Sequence, residues 1–180
     1  SAAPTSSLCS SRVATAMDGA GEWMRASQIA AQIWQRYPDS PAADDADLAL
    51  ANRLIERGLD ADGQPAMSAG QRSALVLQGI SRLRRKVAIG DRRGTVAADA
   101  GLALVATYAQ LEQWERAAER AALFGGVFED PTYRDSFRYS EAVARWSDVQ
   151  AEDAESEERR AVEILESIAS QPLKWKDGST

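Results

Sequence analysis

A set of side chains that recurs at a fixed offset constrains this chain more than any other feature. Val13, Ala14, Met17, Gly21, Trp23, Ala26, Ala30 and Ile33 are followed 91 residues later by Leu104, Val105, Tyr108, Glu112, Trp114, Ala117, Ala121 and Phe124. Each copy places apolar residues before a break, then an aromatic, small alanines and a final large apolar residue. Apolar residues at three- and four-residue steps make one face of a helix. Two such faces joined by a break make a helical hairpin, and alanine at the crossing lets its arms approach. The chain is therefore expected to fold from packed helical hairpins.

At 180 residues it is long enough to bury a core as one domain. A net charge of −6 and a pI near 4.8 argue against wholesale binding to nucleic acid. There is no histidine, which removes the commonest general base and the commonest metal ligand together. Cys9 is the only cysteine, so no disulfide forms within the chain, and a plain surface or core thiol is expected. Ser6-Ser7-Leu8 before it does not resemble a lipoprotein cleavage box. No apolar run approaches the ~18 residues needed to cross a bilayer. The opening Ser1-Ala2-Ala3-Pro4-Thr5-Ser6-Ser7 resembles the flank left by a removed targeting peptide, as for export to a periplasm or an organelle. An arbitrary boundary would look the same.

Periodicity predicts helices over 8–18 (Leu8, Val13, Ala16, Met17) and 22–37 (Trp23, Ala26, Ile29, Ala30, Ile33, Trp34), separated by a turn at 18–21. Pro38 and Pro41 are expected to end the second. A third helix is expected over 43–57 (Leu48, Ala51, Leu54, Ile55), with Gly58 as its C-cap. After a loop at 60–68, further helices are expected over 69–89, ending at Gly90, and over 95–111 and 113–124. Gly125-Gly126 reads as a cap and turn. Helices over 133–149 (Tyr139, Val143, Trp146) and 153–170 (Val162, Leu165, Ala169) complete the chain, and Pro172 stops the last. Nothing alternates as a half-buried strand would. The expectation is an all-α chain of seven or eight helices: a tail at 1–7, a single domain over 8–170 and a tail at 171–180.

The first copy resembles a tetratricopeptide repeat, whose unit is two antiparallel helices in about 34 residues. The match covers 7–40, and Tyr37-Pro38-Asp39-Ser40-Pro41 is similar to the inter-repeat turn of bacterial envelope members. Residues 98–131 match almost as well, with Glu112 where the family carries a turn glycine and Pro131 two residues late. Leu50, Ala51, Leu54 and Gly58 fit half a unit more. The resemblance implies a short right-handed superhelix of degenerate repeats, with Gly21, Trp23, Ala26, Tyr108, Trp114 and Ala117 as packing positions. A generic helical bundle is the alternative.

Chemistry-bearing patterns are few. Arg82, Arg84, Arg85, Lys86, Arg92 and Arg93 fall within twelve residues at a helix end. They suit an acidic peptide, a carboxylate terminus or anionic headgroups. They equally suit the helix dipole, or an internal pairing with Glu155, Glu157 and Glu158. Asp44-Asp45 and Glu157-Glu158 stand at helix starts, where capping accounts for them. Trp23, Trp34, Trp114 and Trp146 fit core or wedge positions, whereas Trp175 lies in a polar tail and suits anchoring a partner or docking back. No nucleophile elbow, phosphate loop, metal spacing or dinucleotide fingerprint is present. The reading is a non-catalytic adaptor or assembly factor that takes no cofactor or metal and binds another protein, not nucleic acid. Peripheral association with a membrane is compatible with it. The alternatives are a constitutive subunit of a larger assembly and, less favoured, an enzyme.

Overall fold

The computed structural model describes residues 23–37, 40–60, 67–89, 95–148 and 153–170. Within them the chain is all-α, with seven helices and no strand: α1 (Trp23–Arg36), α2 (Pro41–Leu59), α3 (Ala69–Ile89), α4 (Thr95–Gln110), α5 (Trp114–Val127), α6 (Pro131–Ser147) and α7 (Ala154–Ala169). The expected helix over 8–18, the turn at 18–21, both tails, Cys9, Gly21, Pro38, most of the 60–68 loop, Gly90, Arg92, Arg93 and Trp175 lie outside the described residues. So do the side chains of Trp23, Ala26 and Trp34. Packing falls into two compact units, one closing at Leu104 and the other opening at Val105, inside α4. The sequence alone suggests a single domain over 8–170.

Helix starts follow local chemistry. The Ser40 hydroxyl accepts from the Ala43 N–H at 3.2 Å, and Pro41 opens α2 at a position where no amide hydrogen is needed. Pro41 thus begins a helix, where the sequence reading had it end one. Pro131 does the same for α6 behind Asp130, which caps Thr132 at 2.8 Å. Ser68 and Gln71 close a reciprocal capping box on α3: each side chain accepts from the other's backbone N–H, at 3.2 and 2.8 Å.

In the first unit Ala30 and Ile33 of α1 cluster with Ala43 and Ala46 of α2, with Ile29 and Leu50 beside them. Contacts between α2 and α3 run from Gly58 with Val76, through Ile55 with Gly79, to Asp47 with Arg82. Positions rise on one helix as they fall on the other, so the pair is antiparallel. Gly58 is not a cap. It lies inside α2, and a Cβ there would stand 2.6 Å from the Arg72 carbonyl oxygen of α3. Gly79 is the reciprocal contact, 2.7 Å from the Ala51 carbonyl oxygen and 2.5 Å from Ile55 Cγ1. Helices this close leave no room for a side chain.

In the second unit α5 and α6 close on three phenylalanines. Phe137 is fully buried, stacks on Phe128 at 5.4 Å and meets Phe124 edge-on at 5.4 Å. Ala117 and Ala121 are fully buried on α5, as the repeated spacing requires, and Tyr108 of α4 is 8% exposed. Gly125 and Gly126 are not a turn: α5 runs through both to Val127. Tyr139, Val143 and Trp146 do not face the core either, because α6 buries Phe137, Glu141, Ala142 and Ala144 instead. On α7 the buried residue is Ala161, while Val162, Leu165 and Ala169 lie outward.

Between α4 and α5 the chain turns in three residues. Gln113 N–H donates to the Tyr108 carbonyl and Glu112 N–H to that of Ala109, both at 2.9 Å. This paired closure requires a left-handed residue, and Glu112 supplies it at φ 57°. Side chains resist that region by about 1–2 kcal/mol.

Two predictions follow from these backbones. Gly79 lies in the middle of α3 and Gly126 in the last turn of α5, and propensity alone favours alanine at both, by about 1 kcal/mol mid-helix and less near the end. Gly126 has nothing within 4 Å of a new Cβ, so Gly126→Ala gains stability in urea unfolding. Gly79→Ala instead loses about 1–3 kcal/mol through overpacking. Glu112→Gly relieves the left-handed side chain and raises stability by about 0.5–1 kcal/mol. A lower melting temperature for Glu112→Gly would refute the strain.

Candidate functional site

The first place to test for a binding site is the basic cluster of α3. Arg82, Arg85 and Lys86 recur at three- and four-residue steps on one face, opposite Asp44 and Asp47, one turn apart on α2. Asp47 is 2% exposed and receives all three cations: Arg82 directly, Arg85 at 3.2 Å and Lys86 at 3.7 Å. Lys86 also pairs with Asp44. The cluster therefore faces α2, and Glu155, Glu157 and Glu158 pair elsewhere or stand exposed. Arg84 is exposed, as Arg85 is, but lies on the side of α3 away from Gly79 and Lys86. A small notch of about 180 Å³ lies here, lined by Ala30, Ala31, Gln35, Asp47, Leu50, Arg82 and Arg85. Its cations already hold a carboxylate. Nearby, burial and the charges of Asp44 and Asp99 push the Asp45 carboxyl above its ordinary value.

A larger open cleft of about 800 Å³ lies in the second unit at the start of α5. Its wall carries Glu112, Glu115, Glu119, Asp148 and Glu157 against Arg116 and Arg145, with Trp114 half-buried among them. Arg145 donates to Glu141 at 2.9 Å and to Glu157 of α7. Burial draws its pKa down, but the hydrogen bonds with Glu157 and Glu141 outweigh that and hold it above the ordinary arginine value. The cleft is thus a surface that repels anions.

The third place is the outer side of the α6–α7 pair. Arg138 donates to Ser167 at 2.7 Å and Arg145 pairs with Glu157, which sets α6 and α7 antiparallel. That register puts Ala142 opposite Ala161, both fully buried. One residue advances a helix by about 100°. On α6 the arginines therefore lie to one side of Ala142, and Tyr139 and Trp146 lie to the other. On α7 Glu157 and Ser167 lie to one side of Ala161, and Val162 and Leu165 to the other. Tyr139, Val143, Trp146, Val162 and Leu165 consequently border one open seam, at 58, 41, 55, 39 and 37% exposure. Large apolar side chains grouped on a surface in this way mark interaction sites. Trp146 and Tyr139 belong to this surface and not to the core, although their spacing is that of a core stripe.

No family model, curated protein or solved structure matches the chain. Among the described residues no helix is long and apolar enough to cross a membrane, and no group of acidic or cysteine side chains is arranged to hold a metal.

The basic cluster yields a direct test. Asp47→Asn leaves three cations beside a buried neutral side chain, and is expected to cost about 2–3 kcal/mol. That is somewhat below the loss for a fully buried pair, because Arg82 and Arg85 reach solvent. Arg84→Glu stays within about 0.5 kcal/mol of the parent. Equal unfolding midpoints for Asp47→Asn and the parent would show the cluster to be loosely held.

Proposed function

We propose that the chain is a non-catalytic interaction module of tetratricopeptide-like construction, an adaptor or assembly factor that docks a helical segment of another protein. The observation that carries this reading is the exposed seam, above all Tyr139 and Trp146, each more than half exposed on α6. Aromatics of this size anchor interfaces because they bury much area for little lost side-chain freedom. The repeat construction draws support from the left-handed turn at Glu112, where the family carries glycine, and from buried Ala117, Ala121 and Phe124. The seam, about 10 Å from Tyr139 to Trp146, matches two turns of a partner helix.

A constitutive subunit is the second reading, favoured by Leu77 of the first unit and Leu123 of the second, which stand 65 and 51% exposed. A subunit of that kind self-associates or precipitates alone, whereas an adaptor remains monomeric.

Affinity capture from the native source, with the parent and a Val143→Ser/Trp146→Ser variant side by side, tests the docking role. Both sites are exposed, so the variant should melt within a few degrees of the parent. The reading expects a partner retained by the parent and lost by the variant. An identical set of proteins on both would overturn it.

A further inference from the structure

We infer that the α6–α7 seam receives a basic amphipathic helix, which gives the docking proposed above a partner chemistry. The inference rests on that reading and adds the charge of the occupant.

Charge is unevenly divided between the two units. Residues 1–104 carry twelve lysines and arginines against eleven carboxylates, a net +1, while residues 105–180 carry nine against sixteen, a net −7. The whole excess of acid thus belongs to the unit that owns the seam. The local arrangement agrees. On α7, Glu158 and Glu166 stand exposed one turn before and one turn after Val162, on the seam side of the helix, and Arg159, the cation near Glu166 in that sector, pairs with Glu155 at 3.3 Å. On α6, Asp135 precedes Tyr139 by one turn, and the outward positions Thr132, Ser136, Tyr139, Val143 and Trp146 include no cation. The arginines of α6 are committed elsewhere. Arg138 reaches Ser167 and Arg145 is held by Glu141 and Glu157, while Arg134 lies 4.0 Å from Asp135, so the rim charge comes from Glu158 and Glu166 of α7.

An apolar strip rimmed by carboxylates selects a helix whose apolar stripe is flanked by lysine or arginine. Two or three large apolar residues at i, i+3 or i+4, and i+7 would enter the seam. Cations on either side of that stripe would meet Glu158 and Glu166. An acidic helix of the same apolar face would bring like charges together at the rim. The field of the second unit also steers the basic helix toward the seam before contact, so association slows as salt rises.

Two synthetic helices with the same leucine face test this, one with lysines and one with glutamates on the polar face, titrated calorimetrically into the full chain. The lysine peptide should bind about tenfold or more tighter than the glutamate peptide. Its affinity should fall between roughly 50 and 500 mM salt. Val143→Ser/Trp146→Ser, which leaves net charge unchanged, should abolish its binding. Glu158→Lys/Glu166→Lys should move the preference toward the glutamate peptide. Equal binding of the two peptides overturns the charge inference and leaves the docking reading standing. Lysine-peptide binding that survives Val143→Ser/Trp146→Ser is general attraction to an acidic protein, and overturns it as well. Binding of neither peptide removes the docking reading too. Two further outcomes give the seam another occupant and overturn the inference: a dimer in sedimentation that the seam variant abolishes, or binding that appears only when the chain is cut after Ser170.

Discussion

The distance between helix axes is the constraint on which the rest of this structure depends. Ala43, Ala100, Ala117, Ala121, Ala142 and Ala161 are all buried to the last per cent, and Gly58 and Gly79 sit where not even a methyl group fits. Small residues let backbones approach, and close approach multiplies weak contacts along the whole crossing. A methyl group contributes only about 0.8 kcal/mol on burial, so such interfaces stand on fit more than on area. The large apolar side chains are distributed accordingly. Some gather into one knot, Phe124, Phe128 and Phe137, and others are displaced to the outside, as on α6.

Two ionic knots complement the small-residue crossings. Asp47 is enclosed by Arg82, Arg85 and Lys86 where α2 meets α3, and Arg145 by Glu141 and Glu157 where α6 meets α7. Each joins a different pair of helices and fixes its register, since sliding by one turn would strand a buried charge. Tight but featureless alanine crossings need such markers more than interlocking leucines do. The registers that result turn the arginines of α6 inward and leave its aromatic side bare.

Much of the fold is legible in the sequence. The third described helix spans 69–89 as its periodicity requires, and the others begin or end within a few residues of expectation. The misreadings have a common cause. A stripe of Tyr139, Val143 and Trp146 outweighs one of Phe137, Glu141, Ala142 and Ala144 on any hydrophobicity scale, yet the second stripe is buried because alanine fits and Glu141 finds Arg145. Gly58 suggests a helix end by composition, but its role depends on a neighbouring helix that local sequence does not contain. The partner of the basic cluster was within reach. Asp44 and Asp47 one turn apart, facing Arg82, Arg85 and Lys86 at matching steps, form a complementary pattern across a hairpin. Read as adjacent acids at a helix start, Asp44-Asp45 conceals it.

Four helix pairs that pack, α1 with α2, α2 with α3, α5 with α6 and α6 with α7, are consecutive along the chain. Contacts of that kind close short loops only, so little chain entropy is lost before a pair begins to form. Caps at Ser40, Ser68, Asp130 and Asp153 mark where arms of these hairpins begin. Folding on such a plan is rapid and has several possible starting points, unlike that of a sheet whose distant strands must meet. A nascent chain leaving the ribosome would meet each hairpin's second arm soon after its first.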